Sequence, residues 1–308
     1  MKNKLIAVLM GGWNSEREVS LRSGEAVYQA LITLGYKAEK IDFGRDIVEK
    51  LHAIKPDIVF NALHGQFGED GRVQGLLDIL NIPYTHSGIL SSAVCMDKIF
   101  TNKLCDASGI TSPQFEILHK GQDEENKKLI AKIGKPFVIK PVNEGSSVGV
   151  EVILAEHSFD ITKYEWKYGD RLLVEKYIAG QEIQVAVLNG KALGAIEVRP
   201  KHLFYDYECK YTAGMTDYIM PAEISAEKYA EVLKIAEKCY GVAGCSGVTR
   251  IDFILNNKNS GDNKFYLLEV NTHPGFTATS LVPKIAKYAG ISFEEIIEYL
   301  IKSARCGI

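Results

Sequence analysis

Across its first ninety residues the chain alternates two hydrophobic patterns, and only a layered fold satisfies both. LIAVLM (5–10) is a short apolar run that stops at Gly11-Gly12. The next stretch repeats at helical spacing: Val27, Ala30, Leu31 and Leu34 share one face, and Gly35 ends it. KAEKIDF and PDIVFNAL read as a second and a third strand, IVEKLHAI and VQGLLDIL as further helices. Strands that alternate with helices predict a parallel, doubly wound α/β domain over 1–94. Ligands of such folds bind at the carboxyl ends of the strands. Here those ends carry GGWNSERE (11–18) and LHGQFGEDG (63–71).

The texture then changes. A helix over 97–108 precedes apolar runs at 137–142, 172–178, 183–188 and 192–198, which predict a mostly antiparallel α+β region. Residues 199–221 keep no period and are dense in Tyr, charge and Gly, so they read as a long loop, a lid. A helix over 225–240, strands at 248–255 and 264–271, and two C-terminal helices follow.

Composition bounds the function classes. The 308 residues are 46% hydrophobic and 24% charged with a net charge of −3, a soluble globular balance long enough for two or three domains. Without a basic cluster, nucleic acid is not the expected partner. Six scattered cysteines with no C-x-x-C speak against a disulfide framework or zinc site, and for a reducing cytoplasm. The apolar run in MKNKLIAVLMGG is too short for a signal peptide, and no run approaches the ~18–20 residues of a membrane span.

The chemistry concentrates near the end. In LLEVNTHPGF (267–276), Glu269 and Asn271 project from one face of a strand, just before a chain-breaking Pro-Gly. In the preceding strand, VTRIDFIL, Arg250 and Asp252 form the same i, i+2 pair. The polar connection NNKNSGDN predicts a hairpin that sets Asp252 directly or diagonally across from Glu269. Three oxygen donors would then converge beside Arg250. Hard oxygen ligands with no His or Cys suit magnesium, which shares its shell with phosphate oxygens. The bland alternative is an exposed sheet face with a salt bridge; Asn271 and the Pro-Gly weigh against it.

Magnesium calls for a phosphate-binding element. G-x-x-x-x-G-K-[S/T] is absent, and GGWNSERE does not satisfy G-x-G-x-x-G. Instead FVIKPVNEGSSVGV (137–150) delivers Lys140 from an apolar strand into a Gly/Ser loop with Ser146 and Ser147. Glycines let backbone N–H groups approach phosphate oxygens, and serines add donors. Alone this loop could equally be an ordinary hairpin.

At this point the residues resemble a family. GGWNSEREVSLRSG, ALHGQFGEDG, MDK (96–98), KPVNEGSSVGV, FYDYECKY, GVTRIDFIL and LLEVNTHPGFTATSLVP together resemble the D-alanine–D-alanine ligases of the ATP-grasp superfamily, in collinear order over essentially the whole chain. Two departures are Asn14, where relatives often have Ser, and His273, at a variable position.

The resemblance implies two α+β ATP-grasp domains, central (95–180) and C-terminal (181–308), after the N-terminal domain. It implies an enzyme in which ATP phosphorylates the carboxylate of one D-alanine and the amine of a second attacks the acyl phosphate, for peptidoglycan precursor synthesis. By resemblance, Asp252, Glu269 and Asn271 hold two magnesium ions, with manganese as an alternative, and Lys98 and Lys140 meet the ATP phosphates. Glu175 and Lys176 fall where the adenine sits, Glu182 where the ribose does. Glu16 would hold the first ammonium, with His64 facing the same substrate. Arg250 and the Gly275 N–H would stabilise the oxyanion. Ser280 and Lys210 would meet the second carboxylate or the transferring phosphate. Tyr211 would reach back to Ser146 and Glu16, and its presence favours a dipeptide product. The family also suggests a homodimer. Rival readings are a D-alanine–D-lactate ligase, another ATP-grasp carboxylate–amine ligase, or a nucleotide-binding regulator without ligation.

Overall fold

The computed structural model describes residues 1–202, 205, 209, 212, 214–258, 261–277 and 280–307. Lys210 and Tyr211, two of the expected site residues, lie outside the described residues.

Strand β1 (Leu5–Gly11) pairs in parallel with β2 (Lys37–Phe43) and β3 (Ile58–Asn61), in the order β2-β1-β3. The six-residue apolar run is unbroken because both faces of β1 are covered. Ile6, Val8 and Met10 pack with Val27 and Leu31 of α1 (Arg17–Thr33). Ala7 and Leu9 pack on the other side, with Leu51 of α2 (Ile47–Ile54) and Leu77 of α3 (Arg72–Ile79).

Two antiparallel sheets follow. The first has the order β4-β7-β5-β6, from β4 (Phe115–His119), β5 (Phe137–Pro141), β6 (Glu151–Ile153) and β7 (Arg171–Lys176). On one side Ile99 of α5 (Lys98–Ala107) meets Leu173 of β7; on the other Ile133 of α6 (Asp123–Ile133) meets Phe137. The second has the order β10-β9-β8-β11-β12, from β8 (Gln181–Leu188), β9 (Lys191–Pro200), β10 (Thr216–Ile219), β11 (Val248–Leu255) and β12 (Phe265–Asn271). Val232 and Ala236 of α7 (Ala226–Val242) cover one face, and Ile285 of α8 (Leu281–Tyr288) the other.

The C-terminal helix α9 (Phe293–Ser303) closes the first sheet. Its Ile296, Ile297, Leu300 and Ile301 are buried among Ile6, Val8 and Leu31, each contributing about 1.5–3 kcal/mol of burial. A capping box starts the helix: Ser292 Oγ accepts from Glu295 N, and Glu295 Oε2 accepts from Ser292 N at 2.7 Å.

Six described elements escaped the sequence reading: α4 (Ile89–Met96), β4, α6, β6, a 3-10 turn (Ile161–Lys163) and β10. Asp97 alone separates α4 from α5, and its carboxylate accepts from Ile99 N and Phe100 N, capping α5. The expected long loop over 199–221 needs correcting at both ends. β9 runs on to Pro200, and Thr216–Ile219 pairs back onto it, from Thr216↔Pro200 to Ile219↔Glu197. The pairing holds because Thr216 is buried and Tyr218 reaches Tyr205, Oη to Oη at 2.7 Å, in the core. Among the described residues no helix is long and apolar enough to cross a membrane, and no disulfide joins any of the six cysteines.

Candidate active site

The β11–β12 hairpin forms with the expected register. Asp252 stands directly opposite Glu269, and Arg250 opposite Asn271. Arg250 donates from Nε and Nη2 to the two Asp252 oxygens at 2.8 Å each, and from Nη2 to Glu269 Oε1 at 3.1 Å. Burial opposes the guanidinium charge, but Asp252 and then Glu269 outweigh it and raise its pKa. The salt bridge and the convergence of donors are therefore one arrangement. Asn271 Oδ1 accepts from His273 N at 2.9 Å, which orients the carboxamide.

Asp252 and Glu269 line one cavity, and Glu269 and Asn271 a second. The pair thus stands where the two meet. An all-oxygen set of two carboxylates and a carboxamide, held in register on adjacent strands, fits a hard divalent cation such as magnesium.

The first cavity lies between the two antiparallel sheets. Val138, Val152, Ile178, Ile254 and Leu268 give it apolar walls suited to a planar ring. Lys140 of β5 and Glu175 of β7 are diagonal neighbours there and form an ion pair at 2.7 Å, with side chains 8% and 4% exposed. The second Glu175 oxygen, Oε2, has no hydrogen-bond partner, which leaves an acceptor for a donor group in the cavity. Lys176 Nζ reaches the Gly134 carbonyl at 3.3 Å, and Glu182 accepts from Gln184 Nε2 at 2.8 Å; both also line this space.

The loop after β5 holds Ser146 and Ser147 at φ 52° and 57°. Consecutive left-handed serines cost on the order of 1–2 kcal/mol each, and persist only where contacts hold them. Ser147 Oγ donates to the Tyr205 carbonyl at 2.8 Å, and Lys98 Nζ donates to the Glu144 carbonyl at 2.6 Å.

The second cavity encloses about 580 Å³. Glu16 precedes α1 without capping it, and its Oε1 accepts from Ser146 Oγ at 2.5 Å, joining the β1 loop to the β5 loop. Asn14 explains itself here. Its Nδ2 donates to the His64 and Gln66 carbonyls while its Oδ1 accepts from Glu16 N, tying together two strand-end loops. Gly65, at φ 66°, leaves room for the carboxylate: a Cβ there would come within 2.3 Å of Glu16 Oε2. His64 Nδ1 lies 3.1 Å from Glu69 Oε1, and its Nε2 lies 3.0 Å from Ser23 Oγ. At the far side, a Cβ on Gly275 would approach Ser280 Oγ to 2.9 Å. A bare backbone is what that position admits. Ser280 Oγ accepts from Thr277 N at 2.9 Å.

Residues 104–302 match the sequence model of the D-ala D-ala ligase C-terminus, and 37–87 that of the D-ala D-ala ligase N-terminus. The chain belongs to the D-alanine–D-alanine ligase family. It is 50% identical over 302 residues to the D-alanine–D-alanine ligase of Rickettsia rickettsii (strain Sheila Smith), covering 98% of this chain and 92% of that one. The ligase of Rickettsia bellii (strain RML369-C) is 49% identical over the same length. A crystal structure of the Bacillus anthracis D-alanine–D-alanine ligase complexed with ATP superposes with a TM-score of 0.81 at 34% identity, covering 97% of both chains. A second structure of that ligase reaches 0.84 at 35% identity.

Three residues of this family member were not singled out from sequence as parts of the site. Glu69, within the LHGQFGEDG motif, has its pKa raised by burial although His64 favours its charge. Glu144 lines both cavities, its pKa also raised by burial with Glu16 nearby. His273, noted only as a departure, is 1% exposed and packs at a tilt against His86 with ring centroids 4.0 Å apart. Burial pushes it down to about 3, so it is neutral, and its Nε2–H donates to the Asn61 carbonyl at 2.5 Å. His273 thereby clamps the loop after β12 to the end of β3. Replacing it with Ala removes a packed ring and orphans that carbonyl, with an expected loss of about 2–4 kcal/mol in urea unfolding. An unchanged midpoint would contradict the clamp.

Proposed function

We propose that this chain joins two D-alanines into D-alanyl-D-alanine at the expense of ATP. One observation carries the reading: the Asp252–Glu269 pair lies between an apolar cavity with buried Lys140 and a polar cavity with the Glu16–Ser146 contact. A phosphate chain entering from the first would meet a carboxylate held in the second.

In the first step a carboxylate oxygen of D-alanine attacks the γ-phosphorus and ADP leaves. In the second the amine of another D-alanine attacks the acyl carbon, and phosphate departs with the former carboxylate oxygen. Glu175, Lys176 and Glu182 take the base and ribose, and Lys98, Lys140 and the Ser146–Ser147 loop take the phosphates. Glu16 and His64 hold the first amino acid. Arg250 and the Gly275 N–H receive the oxyanion, with Ser280, Lys210 and Tyr211 on the second substrate's side. Asp252, Glu269 and Asn271 would hold two magnesium ions, whose charge neutralises the phosphates.

The same reading divides the chain at 94 and 180 and places it in the cytoplasm, which suits six cysteines outside any disulfide. It also makes the chain a homodimer; exposed Ile79, Ile89, Leu90 and Phe100 on α3, α4 and α5 are apolar enough to be covered by a second copy. Phosphate release from MgATP tests the activity. It should require D-alanine, fail with L-alanine, and yield no ester when D-lactate is added. Equal release with L-alanine, or release without any amino acid, would contradict the assignment.

A further inference from the structure

At the wall of the Glu16 cavity lies a second constellation, which shares His64 with the proposed amino-acid site. We propose that His64, Glu69 and His273 form a binding site for a divalent cation of the zinc class, distinct from the oxygen-only set on β11 and β12. One ring nitrogen of each histidine and one Glu69 oxygen lie within 4.8 Å of one another. A tetrahedral zinc-class ion holds its donors at about 2.0–2.2 Å, which sets them roughly 3.4 Å apart. The widest donor pair therefore needs to close by at most about 1.4 Å.

The remaining contacts match those of metal-ligating histidines, whose other ring nitrogen is held by an oxygen. His273 Nε2 is bound to the Asn61 carbonyl, and His64 Nε2 to Ser23 Oγ. His64 thus turns Nδ1 toward Glu69. His273 Nδ1 is buried and has no hydrogen-bond partner, a lone pair for which the fold supplies no donor. Such a group calls for a ligand. Two imidazoles and a carboxylate select zinc, cobalt or nickel over magnesium. His64 and Glu69 also line the 580 Å³ cavity, so a bound ion would lie at its wall. On the ligase reading, an ion there would oppose binding of the first amino acid. The binding itself does not rest on that reading.

Calorimetry with zinc chloride, in excess magnesium and without nucleotide, tests the site in the full chain. One zinc per chain is expected, with affinity unchanged in Asp252→Asn. His273→Gln keeps an N–H for the Asn61 carbonyl but offers no imidazole, and should weaken zinc roughly tenfold or more. His64→Gln should do the same, should the first variant fail to fold. Cobalt should give a visible absorption band of nitrogen ligation in the parent that both histidine variants lose. Absence of zinc binding, equal affinity in His273→Gln or His64→Gln, or a site abolished by Asp252→Asn would overturn the proposal. Loss of ligation with zinc binding intact would count against the ligase reading alone.

Discussion

Asp252→Asn is expected to lower turnover by at least ~100-fold, about 2.7 kcal/mol of transition-state stabilisation. The substitution keeps the side chain's volume and one hydrogen bond to Arg250 but removes half of the paired negative charge. Its second effect falls on stability. Arg250 is bound by both Asp252 oxygens and by Glu269, and Asp252 is only 4% exposed. With one partner neutral, the buried guanidinium retains Glu269, so about 1–3 kcal/mol should be lost rather than the fold. Steady-state kinetics over a magnesium titration, paired with thermal unfolding, separates the two effects. Parental turnover at saturating magnesium would remove Asp252 from the metal set.

Lys140 carries the second large effect. Lys140→Ala should weaken ATP binding in the absence of amino acid, but it also strands the Glu175 carboxylate in a site where it is 4% exposed. Breaking such a pair from one side costs about 3–5 kcal/mol of stability. Lost affinity in that variant could then reflect a damaged sheet. The double variant Lys140→Met, Glu175→Gln resolves this, since a neutral pair of similar volume should restore most of the stability. Nucleotide affinity should stay at least roughly tenfold below the parent's, because the cation is gone. Glu175→Gln alone, which keeps the lysine charge, should bind ATP more tightly than the double variant. Equal ATP affinity in the two would leave Lys140 a structural partner of Glu175.

The β11–β12 hairpin was legible because its signal is local. Two i, i+2 pairs in consecutive strands joined by a polar connection fix which residues oppose each other, and Asp252 faces Glu269 as that pattern requires. The parallel first sheet was legible for the same reason, from an apolar run and the helical repeat after it. What escaped lies at long range or on the surface. A pattern shows that α9 has an apolar face, but not that this face closes on β1, nearly the whole chain away. Helix α6 reads DEENKKLIAKI, with only Asn126 and Ile133 fully buried, so its periodicity was too faint to separate from loop. Strand β10 is four residues long within a tyrosine-rich stretch, and pairing rather than composition defines it. His273 gains meaning from Asn61, which β3 brings to it, and Glu69 from its burial beside the loop after β1 that carries Glu16.

On the proposed reading, a carboxylate oxygen of the first D-alanine passes to phosphate through an acyl phosphate formed between the two cavities. D-alanine labelled with oxygen-18 in its carboxylate, incubated with the protein and MgATP, tests this directly by mass spectrometry of both products. For each dipeptide formed, one labelled oxygen should appear in inorganic phosphate and the peptide carbonyl should keep the other. Dipeptide formation with unlabelled phosphate would contradict the acyl-phosphate route.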